Sequence, residues 1–112
     1  METATGCCLV SCAAGSQDNA RQIASALVSE RLAACVQIMP IESVYRWNGA
    51  VQQEPEFLLQ AKTTSSRLPA VEALIKRLHT YDLPEITVTL IVAGSAEYLA
   101  WIADCVAPAG EG

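Results

Sequence analysis

Histidine is almost absent from this sequence: His79 is the only one in 112 residues. Acid–base catalysis therefore has a single imidazole to draw on and is not supported. Charge is scarce as well, at 17% of residues, with seven basic against twelve acidic side chains and a net charge of −5. The basic residues are scattered, without the patch or stripe that phosphate backbones require, so no nucleic-acid partner is expected. No apolar run approaches the ~20 residues needed to span a bilayer, and no membrane partner is expected. The opening "METATGCCLV" lacks a basic n-region, so it does not read as a signal peptide. Cysteine is present (Cys7, Cys8, Cys12, Cys35, Cys105), but the number is odd and no C-x-x-C pair or four-ligand zinc spacing occurs. Free thiols in a reducing compartment, with a cytoplasmic location, are the expectation. There is no P-loop, no G-x-G-x-x-G, no Ser-His-Asp set and no activated nucleophile. Neither enzymatic activity nor an organic cofactor is expected.

What the chain does have is apolar residues, 52% of the total. That suffices for one domain over residues 1–112, with an ordered core at about 7–106, and excludes general disorder. Small domains carry much surface per unit volume, so this composition points to surface covered by further copies of the chain.

"CCLVSCAA" (7–14), bounded by Gly6 and Gly15, reads as a buried strand. Ser16 then caps a helix whose apolar face is Ala20, Ile23, Ala24, Leu27, Val28 and Leu32, with Asp18 placed favourably against the helix dipole. Residues 35–63 read as a long hairpin turning at Asn48-Gly49, the favoured dipeptide of a type I′ turn. On its return arm Phe57, Leu59 and Ala61 alternate with Glu56, Leu58, Gln60 and Lys62. Pro40 and Pro55 predict bends or bulges. Arms of this length overhang a small domain, and an isolated two-stranded ribbon is marginal, so the overhang needs a partner. A second helix starts at Ser65 or Ser66, accommodates Pro69 in its first turn, shows Leu68, Val71, Leu74, Ile75 and Leu78 on one face, and stops before Pro84. "EITVTLIVAG" (85–94) reads as a further strand, and Ser95 caps a third helix with Tyr98, Trp101, Ile102 and Cys105 on one stripe. Residues 107–112 read as a frayed tail. The order β-α-β-β-α-β-α predicts an α+β fold, a ferredoxin-like split βαβ sandwich with a long β-hairpin and a short C-terminal helix.

Four stretches, "LAACVQ" (32–37), "SVYRWNGAVQQEPEFLLQAKT" (43–63), "HTYDLPEI" (79–86) and "GSAEYLAWI" (94–102), resemble the CutA family of divalent-cation tolerance proteins over roughly residues 8–106. The resemblance implies a tight homotrimer, related in architecture to PII signalling proteins, whose long hairpin joins sheets between subunits. It also implies tolerance to divalent metals, copper above all, as a metal-homeostasis accessory. The ligands it implies are a strand-one cysteine and the histidine of H-x-Y, here Cys12 and His79. Some members carry a second histidine just before the first, where this chain has Leu78.

By residue type, imidazole with thiolate suits copper. His79 is equally read as the C-cap of the second helix, and Cys12 as a small buried hydrophobe. Glu54, Glu56, Asp82 and Glu85 form an acidic site if the hairpin meets loop 79–86 across a subunit boundary and otherwise read as a solvated face; Glu56 and Glu85, inside the family-like stretches, are the two expected beside a metal. Tyr45 and Trp47, flanking the hairpin tip, are expected to pack on a neighbouring subunit, and Tyr98 and Trp101 to lie in the core or the trimer interface. The expected cofactor is copper or another divalent metal. Two other readings stand beside it: a PII-like regulatory module binding a small anionic ligand at subunit clefts, drawn by Lys62 and Arg46, and a stable scaffold with no small-molecule site. No further protein partner is indicated.

Overall fold

Strand Cys7–Ala14 is apolar on both faces, and both faces are covered. The structure, a computed structural model, describes residues 2–3 and 5–108. In chain order the elements are β1 (Glu2–Thr3), β2 (Cys7–Ala14), α1 (Gln17–Ser29), β3 (Cys35–Trp47), β4 (Ala50–Thr64), a 3-10 turn (Ser65–Arg67), α2 (Leu68–Leu78), β5 (Thr87–Leu90), β6 (Ala93–Gly94) and α3 (Ala96–Val106). Four strands form an antiparallel sheet in the order β3-β4-β2-β5. That is the ferredoxin-like arrangement, in which two βαβ halves interleave. The run 85–94 is not one strand: β5 pairs with β2, whereas β6 pairs with β1 in a separate two-stranded ribbon. Residues 109–112 of the expected tail lie outside the described residues.

Alternation along β2 divides the core. Val10, Cys12 and Ala14 point to α1 and α2, where they meet Ala20, Ile23, Leu27, Val71, Leu74 and Ile75, together with Leu59 and Ala61 of β4. Cys7 points to the opposite face and packs with Ala34, Leu99 and Ile102, so α3 covers the other side of the sheet. The buried stripe of α3 is Leu99, Ile102 and Val106. It differs from the expected Tyr98-Trp101-Ile102-Cys105 stripe because the small residues Cys7 and Ala34 admit aliphatic side chains, leaving the two aromatics outside. Thr63 is fully buried and its hydroxyl donates to the Leu32 carbonyl at 2.7 Å. Thr63→Val removes that donor and strands a buried acceptor, so it is expected to cost about 1–3 kcal/mol in urea denaturation.

The helix ends follow local chemistry. Ser16 accepts from the Asn19 amide and Ser95 from the Tyr98 amide, as expected of N-caps. Neither Ser65 nor Ser66 caps α2; they form the 3-10 turn, and α2 begins at Leu68 with Pro69 in its first turn. Helix α1 stops short of Leu32. Arg31 takes φ 60°, the Leu32 amide reaches back to the Leu27 carbonyl and the Arg31 amide to that of Val28. This is a Schellman closure with arginine where glycine is usual. The Arg31 side chain explains the exception: Nε donates to the Ala107 carbonyl and Nη2 to that of Asp104, at the end of α3.

The hairpin turn has φ 51° at Asn48 and 78° at Gly49, as a type I′ turn needs. The β3–β4 register runs unbroken from Cys35–Lys62 to Trp47–Ala50, so the bulges expected at Pro40 and Pro55 are absent. Each proline lies where one side of its strand has no partner. Strand β3 is outermost, and β4 loses β2 beyond the Ala14–Phe57 pair. A missing N–H on the open side costs the ladder nothing. Residues 41–47 and 50–56 therefore project as a two-stranded arm. The radius of gyration, 14.9 Å, exceeds the about 13 Å of a compact chain of this length.

Candidate functional site: the cleft at the base of the hairpin

His79 follows the last turn of α2, and its amide closes that helix on the Ile75 carbonyl at 2.8 Å. Its ring does not cap α2. Nε2 lies 2.8 Å from the carbonyl oxygen of Ala13 on β2, and Nδ1 accepts the Tyr81 amide at 3.0 Å. A carbonyl can only accept, so Nε2 carries the proton and Nδ1 supplies the lone pair, which fixes one neutral tautomer. The Leu78 carbonyl beside it is taken by the Asn19 side-chain amide at 3.0 Å.

The H-x-Y spacing then turns Tyr81 back over the histidine, with ring centroids 4.8 Å apart. Glycine at position 15 makes room for it, since a Cβ there would stand 2.7 Å from the Tyr81 hydroxyl oxygen. That hydroxyl donates to Glu56 Oε2 at 2.8 Å. Burial, the hydrogen bond to Glu56 and the Glu56 charge all push the phenol up, so Tyr81 stays a neutral donor. Glu56 is only 6% exposed. Tyr81 is its one hydrogen-bond partner among the described residues, and no Lys, Arg or His pairs with it there.

Strand alternation places Ser43, Tyr45 and Trp47 on the same hairpin face as Glu54 and Glu56, and the register continues that face to Ala13. The Tyr45 hydroxyl donates to Glu54 at 3.1 Å. Between this face and loop 79–86 lies a cleft of about 500 Å³ lined by Tyr45, Trp47, Glu56, Tyr81, Asp82 and Glu85, with Ala13 at its base. No basic side chain lines it.

The structure thus gathers Glu56, Glu85, Tyr45 and Trp47 in one place and leaves four other expected site residues outside it. His79 stands behind Tyr81 with both ring nitrogens engaged. Cys12 is buried in the core, its thiol pushed up to about 12 by burial and then by the charges of Glu85 and Glu56. In this arrangement His79 and Cys12 do not present an open imidazole–thiolate pair, and no group of three His, Cys, Asp or Glu side chains among the described residues converges on a metal position. Tyr98 and Trp101 lie on α3, 42% and 43% exposed, with ring centroids 5.4 Å apart. Lys62 donates to the Tyr98 hydroxyl at 3.2 Å and does not line the cleft, and Arg46 is absent from its lining too. Tyr81 joins the site without having been assigned to it, and Asp82, one of the four carboxylates weighed as an acidic site, lines it as well. The H-x-Y spacing was the available signal for Tyr81, whose partner Glu56 is remote in sequence.

With this geometry in view, comparison with known proteins is consistent along the whole domain. Residues 8–105 match the family model described as CutA1 divalent ion tolerance protein. A Divalent-cation tolerance protein CutA from Thermus thermophilus is 49% identical over 88 residues, which is 78% of this chain and 85% of that one. The chain spans about half the length of some relatives, 47% in the case of human Protein CutA, to which it is 38% identical over 74% of its own length. Among solved structures, CutA from Synechococcus elongatus superposes with a TM-score of 0.91 at 35% identity, covering 95% of each chain. Sequence motifs, sheet order and superposition therefore agree, and the chain belongs to the CutA1 divalent ion tolerance protein family.

Proposed function

We propose that the protein serves divalent-cation tolerance as a homotrimer, and that a divalent cation reaching it is met by carboxylate oxygens at the hairpin-base cleft. The observation that carries this reading is Glu56, a nearly buried carboxylate with no cationic side chain paired to it among the described residues. A buried charge without a counter-charge is costly, and a bound cation relieves that cost. Asp82 and Glu85 on the same wall add attraction. Oxygen donors suit Mg²⁺, Ca²⁺ or Mn²⁺ better than copper, which favours imidazole and thiolate. Such ions retain several waters, and those waters with donors of a neighbouring copy complete the coordination. A copper site at His79 and Cys12 would first have to give up the two hydrogen bonds of the imidazole.

The homotrimer is supported by the unpartnered arm. It exposes Val44, Trp47 and Val51 at 65%, 49% and 65%, and its outer strand leaves backbone groups unpaired. In a trimer Tyr45 and Trp47 would lie at the boundary between copies, and the exposed Tyr98 and Trp101 supply a second apolar surface for it. An acidic cleft repels a small anion, which weighs against the PII-like alternative at this place.

Calorimetric titration with Mn²⁺ and with Cu²⁺ tests the cation reading. Glu56→Gln keeps an acceptor for Tyr81 and removes the charge, and it is expected to weaken Mn²⁺ binding about tenfold or more. Cys12→Ser is expected to leave it unchanged. Equal Mn²⁺ affinity in Glu56→Gln and wild type would sink the assignment.

A further inference from the structure

Helix α3 is held differently from the other two helices. Its buried Leu99 and Ile102 pack with Cys7 and Ala34 in a cluster of their own, and the larger core between the sheet and helices α1 and α2 contains no residue of α3. No ion pair ties α3 to the rest of the chain among the described residues. Its first half is reached by Lys62, at the Tyr98 hydroxyl (3.2 Å), by Cys35 Sγ at the same hydroxyl (3.9 Å) and by Cys7 Sγ at the Leu99 carbonyl (4.0 Å). Beyond Leu99, the one side chain that bonds α3 from elsewhere among the described residues is Arg31. It gives Nη2 to the Asp104 carbonyl at 3.2 Å and Nε to the Ala107 carbonyl at 3.1 Å. The last turn of α3 has no basic residue of its own, so its free carbonyls and negative dipole end are met by a guanidinium from the end of α1.

We propose that α3 is a flap that opens from its C-terminal end, that Arg31 is the clasp that keeps it closed, and that the clasp thereby governs how Tyr98 and Trp101 are presented to a neighbouring copy. The last part rests on the homotrimer reading. The first observation is the backbone cost. Arg31 has φ 60°, where a Cβ is disfavoured and glycine is usual. Glycine would close α1 without that cost, so what arginine adds is its side chain, and that side chain is spent on α3. Strain kept at one residue while its side chain fixes a second element marks a conformational constraint. The second observation is how little else would have to break. Helix α3 takes no part in strand pairing, so lifting it leaves both sheets intact. A small, separate cluster opens before a larger core does. Cys105, half-buried at the edge of that cluster, and Val106, fully buried, are what the opening uncovers first. Tyr98 and Trp101, with ring centroids 5.4 Å apart, ride on the same helix, so a tilt of α3 moves them together.

Arg31→Gly separates the clasp from the closure of α1, because it suits the positive φ and removes the guanidinium. Residue-resolved amide hydrogen exchange, and iodoacetamide labelling of Cys105 read by mass spectrometry, report on the assembled full-length protein. In Arg31→Gly the amides of residues 103–106 are expected to exchange, and Cys105 to label, about tenfold faster than in wild type. The Leu32 and Ala33 amides, which close α1 on the Leu27 carbonyl, are expected to stay at least as protected as before. Arg31→Ala keeps the positive φ without the clasp and is expected to loosen both ends. Unchanged exchange and labelling at the end of α3 in Arg31→Gly overturns the proposal. Faster exchange spread equally over the whole core overturns it too, because the loss would then be general and not at the flap. Subunit exchange between isotopically light and heavy protein tests the link to assembly, and it is expected to quicken about fivefold in Arg31→Gly. A loosened α3 with unchanged subunit exchange overturns that link and takes α3 out of the boundary between copies. A monomeric wild type overturns the homotrimer reading, while exchange and labelling still decide the clasp.

Discussion

His79→Ala, measured with chelator present, is expected to lower stability by about 2–5 kcal/mol in urea denaturation at matched protein concentration. Two partners lose their hydrogen bonds at once, the buried Ala13 carbonyl and the part-buried Tyr81 amide, and a buried group left unsatisfied costs about 1–3 kcal/mol. The side chain is 9% exposed, so water does not readily take its place. A histidine whose only task was to hold metal would show no such loss in the metal-free protein. His79→Gln separates the contributions further, since its amide can donate to Ala13 or accept from Tyr81 without the reach to do both. Partial recovery of stability is therefore expected. Cleft binding should fall with stability in His79→Ala, because Tyr81 loses the contact that aims its hydroxyl at Glu56. A metal-free His79→Ala protein as stable as wild type would return His79 to the list of open ligands.

Leu59→Ala is expected to cost about 2–5 kcal/mol, read from the same denaturation curves. Leu59 sits on β4 opposite Cys12 and Ile38, 1% exposed, beneath the α1–α2 layer. Strands on either side and helices above leave little freedom to collapse into the cavity, which is the condition for the upper part of that range. Leu83→Ala is the matching control. Leu83 is 71% exposed on the loop before β5, and its truncation is expected to stay within about 0.5 kcal/mol. If the two variants were equally stable, the core would not lie where β2, β4, α1 and α2 meet.

Most of the elements were legible because each is announced within a few residues. The Asn48-Gly49 turn, the Ser16 and Ser95 caps and the alternation of Phe57, Leu59 and Ala61 are local signals with local causes. Where the reading missed, something distant had intervened. Helix α1 ends before Leu32 in a Schellman closure at Arg31, a residue whose side chain also bonds the last carbonyls of α3, far along the chain. The apolar run 85–94 is cut in two because its end pairs with β1 and not with β2. Prolines 40 and 55 leave the ladder intact because both stand where the sheet is open on one side, a property of strand order.

The candidate site divides in the same way. Residue types and the H-x-Y spacing made His79, Glu56, Glu85, Tyr45 and Trp47 worth attention, and the motifs carried the family. Sequence alone determined the order of the main elements, the type I′ turn, the apolar faces of α1 and α2 and the family, because all of these depend on neighbours along the chain. Only the tertiary structure decided that the ring of His79 is spent on Ala13 and Tyr81, that Cys12 is sealed in the core, and that Glu56 faces a cleft without a counter-charge among the described residues. A lone pair, a buried thiol and an unpaired carboxylate are defined by what stands opposite them in space. Those partners come from β2, from loop 79–86 and from the far arm of the hairpin, which meet only when the sheet has formed.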